Sequence, residues 1–375
     1  MEERSVSSDA SAPDGHPAPA SDVLTAIEGA AAVVTLNRPR ALNALTTAMR
    51  AQIAEAVPRW ARDPQVYALL VTSACNRAFC AGGDLREMID WGKTRPVDAR
   101  RSLAAEYSLN WALDCFNKPT VSLIDGVVMG SGVGISLYGT HRVAGERYRF
   151  AMPETLIGLF PDDGVSWAFA RMPREIGTYL ALTGRSVERA DAYRLRLVTH
   201  CIRAERFAEI RAAISDADPV DPVLDGRHED PGPGELAAFE GAIERCFSAD
   251  AVEDIVARLQ AERGALQAWA EGVLNDLSQR SPTSLKVALR HVREARGLDL
   301  RATLVQDFRI ACRFLEAPDL YEGVRASLID RDQSPRWRPD RLHDVTPMMV
   351  DRYFAPLGPD DLQLSSRAEM QSVRT

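Results

Sequence analysis

None of the six cysteines (Cys75, Cys80, Cys115, Cys201, Cys246 and Cys312) belongs to a C-x-x-C pair. Zinc and dithiol spacing is therefore missing, and small buried hydrophobes in a reducing compartment are the expectation. The six histidines form neither HExxH nor HxH, so a metal site has no support. G-x-x-x-x-G-K-[ST] does not occur, and Gly130-Ser131-Gly132 is too short for G-x-S-x-G; a phosphate-binding P-loop and a serine nucleophile elbow both fall away. The longest uncharged stretch, Gly126 to Thr140, is too short and too glycine-rich to span a bilayer, so no membrane partner is expected. Basic residues are in the minority: 45 Lys and Arg against 53 Asp and Glu give a formal net charge of -8. Nucleic acid would meet a repelling field and is not an expected partner. Residues 1–22 hold five acids, one arginine and no hydrophobic block. They read as a disordered tail, neither signal peptide nor Arg-rich transit sequence, and the cytoplasm is the expected compartment.

The rest of the composition is ordinary. With 46% hydrophobic and 26% charged residues among 375, the chain can bury a sizeable core in two or three domains, or in one with an appendage. Val23–Ile27 and Ala32–Leu36 suggest a hairpin around Glu28-Gly29. Thr46 opens a helix with apolar Met49, Ile53 and Val57 on one face. Tyr67–Val71 and Thr120–Ile124 read as buried strands, Asp98–Phe116 as a helix, and Gly126–Gly134 as a glycine-dense turn into a helix. This alternation indicates an α/β layer fold. Residues 216–234 hold four prolines and many acids and read as a loop rather than an element. Beyond them helices are expected over Glu235–Phe247, Ala251–Ala270, Leu285–Ala295 and Leu304–Phe314.

Three segments carry candidate chemistry. Ala78-Phe79-Cys80-Ala81-Gly82-Gly83-Asp84 and Asp125-Gly126-Val127-Val128-Met129-Gly130-Ser131-Gly132-Val133-Gly134 each follow a predicted strand. Glycines there serve tight turns, or let backbone N–H groups approach a ligand and hold an anionic oxygen. In the third, Phe150 to Gly164, Glu154 sits among apolar neighbours, where desolvation would raise its pKa into the range of acid–base work. The plainer alternatives stay open: Glu154 as a helix cap or an arginine's partner, and Asp162 or Asp163 as N-cap of a helix starting near Gly164.

Taken together and in this order, the segments resemble the crotonase (enoyl-CoA hydratase/isomerase) superfamily, and within it the 3-hydroxyisobutyryl-CoA hydrolase family. The resemblance is carried by AFCAGGDLRE at 78–87, KP at 118–119, MGSGVGIS at 129–136, RVAGERYRFAMPETLIGLFPDDG at 142–164 and ALTG at 181–184. It continues through FSAD at 247–250, SPTSLK at 281–286 and YEGVRASLIDRDQSPRW at 321–337, and covers about 23–362. It implies a crotonase-like (ClpP/crotonase) spiral of ββα units over 23–215. After the 216–234 loop it implies a helical region over 235–362 covering an acyl pocket, and a flexible tail over 363–375.

The resemblance also implies an acyl-CoA substrate and no separate cofactor. Gly83 and Ser131 would supply the two N–H groups of an oxyanion hole, Glu154 the catalytic carboxylate, and Asp162 a second catalytic acid. Glu106, Gly82 and Asp84 would border the substrate, and Arg38, Arg40 and Arg86 would contact CoA. Relatives commonly form trimers and larger assemblies, so a homo-oligomer is left open. Hydratases carry a further glutamate where Gly134 stands, so two chemistries survive: thioester hydrolysis and single-carboxylate Δ3,Δ2-enoyl-CoA isomerisation. The pattern departs at Ser131, where a glycine is usual, and after Asp162, where Asp163 interrupts a glycine-rich run. Ser131 is also the main support for a third reading, a non-catalytic acyl-CoA-binding protein.

Overall fold

The computed structural model describes residues 21–372. The expected N-terminal tail therefore lies outside the described residues, apart from its last two positions. The strands, in chain order, are β1 (Val23–Glu28), β2 (Ala31–Leu36), β3 (Ala68–Ser73), β4 (Ala78–Cys80), β5 (Thr120–Ile124), β6 (Val127–Met129), β7 (His141–Ala144), β8 (Arg149–Ala151), β9 (Val187–Glu188) and β10 (His200–Cys201). One sheet has the order β1-β2-β3-β5-β7-β10, the other β4-β6-β8-β9. From β3 to β8 successive strands alternate between the sheets, so each turn of the chain adds one strand to each; β9 then joins the small sheet beside β8, antiparallel to it. This is the expected spiral of ββα units.

Only β1–β2 in the large sheet is antiparallel, closed by a turn at Gly29 (φ +54°). The parallel strands β3 and β5 are buried on both faces, and β3 accordingly carries the apolar run Ala68-Leu69-Leu70-Val71. Thr46 caps α1 (Thr47–Arg62) by accepting from Met49 N–H, and Met49, Ile53, Val57 and Trp60 form its buried face. α2 (Leu85–Thr94) and α3 (Pro96–Asp114) return the chain from β4 to β5.

Several expectations need correction. Residues 216–234 contain a helix, Val220–Asp225. Val220, Val223 and Leu224 are spaced to bury one face, with Ile210 and Ile214, against the outer side of the large sheet. Pro222 falls in the first turn, where a missing N–H breaks no helical bond. The helix expected over Ala251–Ala270 is two, Val252–Ala261 and Gln267–Ser278, broken near Gly264, whose φ is +68°. The turn over 126–134 contains β6. Of the segment read as a flexible tail, residues 363–372 are docked: Leu364 is buried, Ser365 O accepts Trp111 Nε1–H at 2.8 Å, and Arg367–Ser372 is helical.

The C-terminal helices close over the turn that carries Glu154. A Cβ on Gly158 would lie 2.2 Å from Asp319 O, and one on Gly323 would lie 2.3 Å from Ile157 O. The helix Pro318–Val324 thus packs backbone to backbone on the turn Glu154–Ile157.

Candidate active site

Strands β4, β6 and β8 are adjacent and parallel, so their carboxyl ends share one edge of the small sheet. The first glycine loop leaves β4 there, the second leaves β6, and Glu154 follows three residues after β8 ends. Three segments far apart in sequence thus converge because each terminates a neighbouring strand. Gly82 (φ +107°) and Gly130 (φ +45°) take conformations that side chains rarely allow. Leu45 pairs with the groups flanking Gly83: its N–H donates to Gly82 O (2.8 Å) and its carbonyl accepts from Asp84 N–H (2.9 Å). In such a parallel bridge the N–H of Gly83 itself points away from Leu45. Ser131 is the first residue of α4 (Ser131–Gly134), where the N–H has no intrahelical acceptor. A methyl group built on Gly130 would lie 3.3 Å from Glu154 Oε1 and 4.0 Å from Gly83 N. The carboxylate and the first loop's N–H therefore border one space.

Glu154 is 6% exposed, and its Oε2 is sealed with no hydrogen-bond partner among the described residues. Burial raises its pKa from the ordinary 4.5 to about 8, and the charge of Asp163 adds to the rise. Neither plainer alternative holds: Pro153 occupies the cap position, and no arginine pairs with Glu154 among the described residues. Asp162 accepts from Tyr107 O–H at 2.7 Å. Burial, then the charges of Glu154 and Glu106, hold its pKa well above the carboxylate range. Asp163 accepts from Asn110 Nδ2 at 2.6 Å, and burial with the neighbouring Asp162 raises it likewise.

Neither aspartate caps the next helix, α5 (Val165–Phe169), whose cap is Gly164 in a left-handed conformation. The Gly164 N–H instead donates to Asp307 Oδ2 at 2.6 Å, and Asp307 Oδ1 is held by His291 Nε2 at 2.5 Å. Several buried acids with elevated pKa values at one place are costly for folding and are a signature of functional sites.

Glu106 faces Ser131 from α3. Its Oε1 lies 3.3 Å from Arg50 NH1 and accepts a short hydrogen bond from Ser131 Oγ. Position 134 cannot supply a second acid. A Cβ there would stand 2.7 Å from both Asn110 Nδ2 and Asp163 Oδ1, so the Asn110–Asp163 pair fills that space.

The structure thus brings Gly82, Gly83, Glu106, Ser131, Glu154 and Asp162 together. Asp84 and the three arginines have other occupations. Asp84 caps α2 by accepting from the Arg86 and Glu87 N–H groups and pairs with Arg38 at 2.8 Å. Arg38 also donates to Ala44 O. Arg40 is exposed and paired with Asp22, and Arg86 donates to Leu328 O across to the C-terminal region. Arg50, Tyr107, Asn110, Asp163 and the Asp307–His291 pair were not among the expected site residues, since their partners lie dozens of positions away. No group of His, Cys, Asp and Glu among the described residues could hold a metal ion, and no helix among them is long and apolar enough to cross a membrane.

The model of the enoyl-CoA hydratase/isomerase family matches residues 31–354. The 3-hydroxyisobutyryl-CoA hydrolase, mitochondrial, of Xenopus tropicalis is 39% identical over 346 residues, covering 90% of this chain and 89% of that protein. Its Homo sapiens counterpart is 37% identical over 358 residues, 93% and 92% of the two chains. Among solved structures, a carnitinyl-CoA dehydratase from Mycobacterium thermoresistibile superposes with a TM-score of 0.86 at 38% identity, over 91% of this chain and 98% of that one. With its two-sheet spiral, its convergent glycine loops and these full-length relatives, the chain belongs to the enoyl-CoA hydratase/isomerase family, on the branch of the 3-hydroxyisobutyryl-CoA hydrolases.

Proposed function

We propose that the chain hydrolyses a short 3-hydroxyacyl-CoA thioester, 3-hydroxyisobutyryl-CoA or 3-hydroxypropionyl-CoA, to the hydroxy acid and CoA, a step of the valine-breakdown type. The observation that carries this reading is one buried acid, Glu154, whose Oε2 has no hydrogen-bond partner among the described residues and which borders the same space as the Gly83 N–H, with no side chain at Gly134 to act as a second acid.

The thioester oxygen would lie between the N–H groups of Gly83 and Ser131, which stabilise the negative charge that develops when the carbonyl is attacked. Glu154 acts in one of two ways. As nucleophile, its oxygen bonds to the carbonyl carbon while the C–S bond breaks and the departing CoA sulfur takes a proton; water then cleaves the mixed anhydride. As general base, it removes a proton from the attacking water and returns it to sulfur. Asp162 and Glu106 orient the 3-hydroxyl. Water is the only co-reactant, and no cofactor is required.

Thiol release from 3-hydroxyisobutyryl-, 3-hydroxypropionyl-, acetyl- and crotonyl-CoA tests the reading: the two hydroxyacyl esters should be turned over fastest. Double-bond chemistry is the second reading, favoured by the dehydratase name of the solved relative. It requires a change in acyl unsaturation with no free thiol. Binding of the whole panel without turnover would instead select the non-catalytic reading. The cytoplasm suits six buried thiols, whereas the relatives above are named mitochondrial; fractionation of the source cell decides.

A further inference from the structure

The Ser131 hydroxyl is a polar side chain that the second glycine loop brings against Glu106. Ser131 is 7% exposed, and its hydroxyl donates to Glu106 Oε1. It also lies 3.0 Å from where a Cβ on Gly83 would stand, in the crease between the two loops. The same Glu106 oxygen faces Arg50 NH1, and Arg50 is itself fixed by Ser102 Oγ at 2.9 Å and Leu45 O at 3.2 Å. Oε1 is therefore held from two sides by groups rooted in two different elements, α4 and α1. Oε2 accepts no hydrogen bond among the described residues, and it is not one of the sealed, unpartnered atoms. A carboxylate pinned by one oxygen in this way has its plane fixed and a single acceptor left to offer.

We propose that Ser131 is a positioning residue for acyl selection: with Arg50 it locks Glu106 Oε1, so that Oε2 is presented as the acceptor for the substrate's 3-hydroxyl. This rests on the hydrolase reading above. A hydroxyl that replaces glycine at an oxyanion loop is thereby a specificity device, tying the loop that holds the carbonyl oxygen to the acid that reads the third carbon. An acyl group without the hydroxyl leaves Oε2 desolvated and unpaired, the arrangement that discriminates most strongly against a missing donor.

The test compares kcat/KM for thiol release from two pairs of esters, 3-hydroxyisobutyryl- against isobutyryl-CoA and 3-hydroxypropionyl- against propionyl-CoA. Wild type, Ser131→Ala, Ser131→Gly, Glu106→Gln and the Ser131→Ala/Glu106→Gln double variant are measured. Wild type should prefer the hydroxylated member of each pair. Either Ser131 variant should lose about tenfold of that preference, the loss lying mainly in KM for the hydroxylated ester, as expected for one charge-assisted hydrogen bond left misdirected. The double variant should lose no more than Glu106→Gln alone, because the two act as one unit. An unchanged preference in both Ser131 variants, or additive losses, overturns the proposal while leaving the hydrolase reading intact. A wild-type protein that releases thiol from none of the four esters overturns both.

Discussion

Gly130 is packed directly on Glu154: a methyl group on its Cα would stand 3.3 Å from Oε1 and equally close to the Cα of Gly82. The two glycine loops and the carboxylate thus meet at Gly130, where an added side chain would press on both Glu154 and Gly82. With φ +45° and ψ -127°, Gly130 also holds a backbone conformation that penalises any Cβ.

Gly130→Ala should therefore damage both fold and chemistry. The strain is about 1–3 kcal/mol, which thermal unfolding would register as a fall of several degrees. A displaced loop carries the Ser131 N–H with it, so kcat should drop about a hundredfold.

The pKa of Glu154, raised from 4.5 to about 8, sets two pH dependences. Either route needs the carboxylate form, so kcat/KM should rise with pH and level off above about 8, a limb absent in Glu154→Gln. Stability runs the other way. The folded state holds a proton that the unfolded chain releases near pH 4.5, so this contribution is complete below that pH and is lost as pH rises through about 8. Urea unfolding of Glu154→Gln should show its advantage over wild type growing between pH 5 and pH 9, by about 2 kcal/mol or more.

Asp307 accepts the Gly164 N–H with one oxygen and binds His291 with the other, in a fully buried setting. Asp307→Ala leaves both partners unsatisfied and should cost about 3 kcal/mol. The turn that carries Asp162 and Asp163 loses its anchor, so denaturant midpoint and kcat should fall together.

Removal of residues 363–375 distinguishes a docked segment from a loose one. The cut exposes the surface under Leu364 and strips Trp111 Nε1–H and the Arg301 guanidinium of their carbonyl acceptors. It also removes Arg367, which pairs with Asp114. A loss of about 2 kcal/mol in urea unfolding is expected.

How far the sequence could be read follows from the range of each interaction. The strand ends, the two glycine loops and Glu154 are legible, because a β run followed by glycines and an acid in an apolar stretch are local signals. Asp84-Leu85-Arg86-Glu87 also carried a local signal, an acid at a helix start, which marks the cap that Asp84 forms on α2. The helix at Val220–Asp225 was hidden by its prolines, although the spacing of Val220, Val223 and Leu224 shows its buried face. The partners of Glu106, Asp163 and Gly164, namely Arg50 with Ser131, Asn110 and Asp307, lie 25 or more positions away. Only the folded chain assembles them.

The most direct measurement is the rate of CoA thiol release from 3-hydroxyisobutyryl-CoA by Glu154→Gln, with ester binding followed in parallel by calorimetry. Glutamine keeps the shape of the side chain but can neither attack the thioester nor take a proton. The account predicts retained binding with kcat lowered about a thousandfold or more. Turnover near the wild-type rate would contradict it.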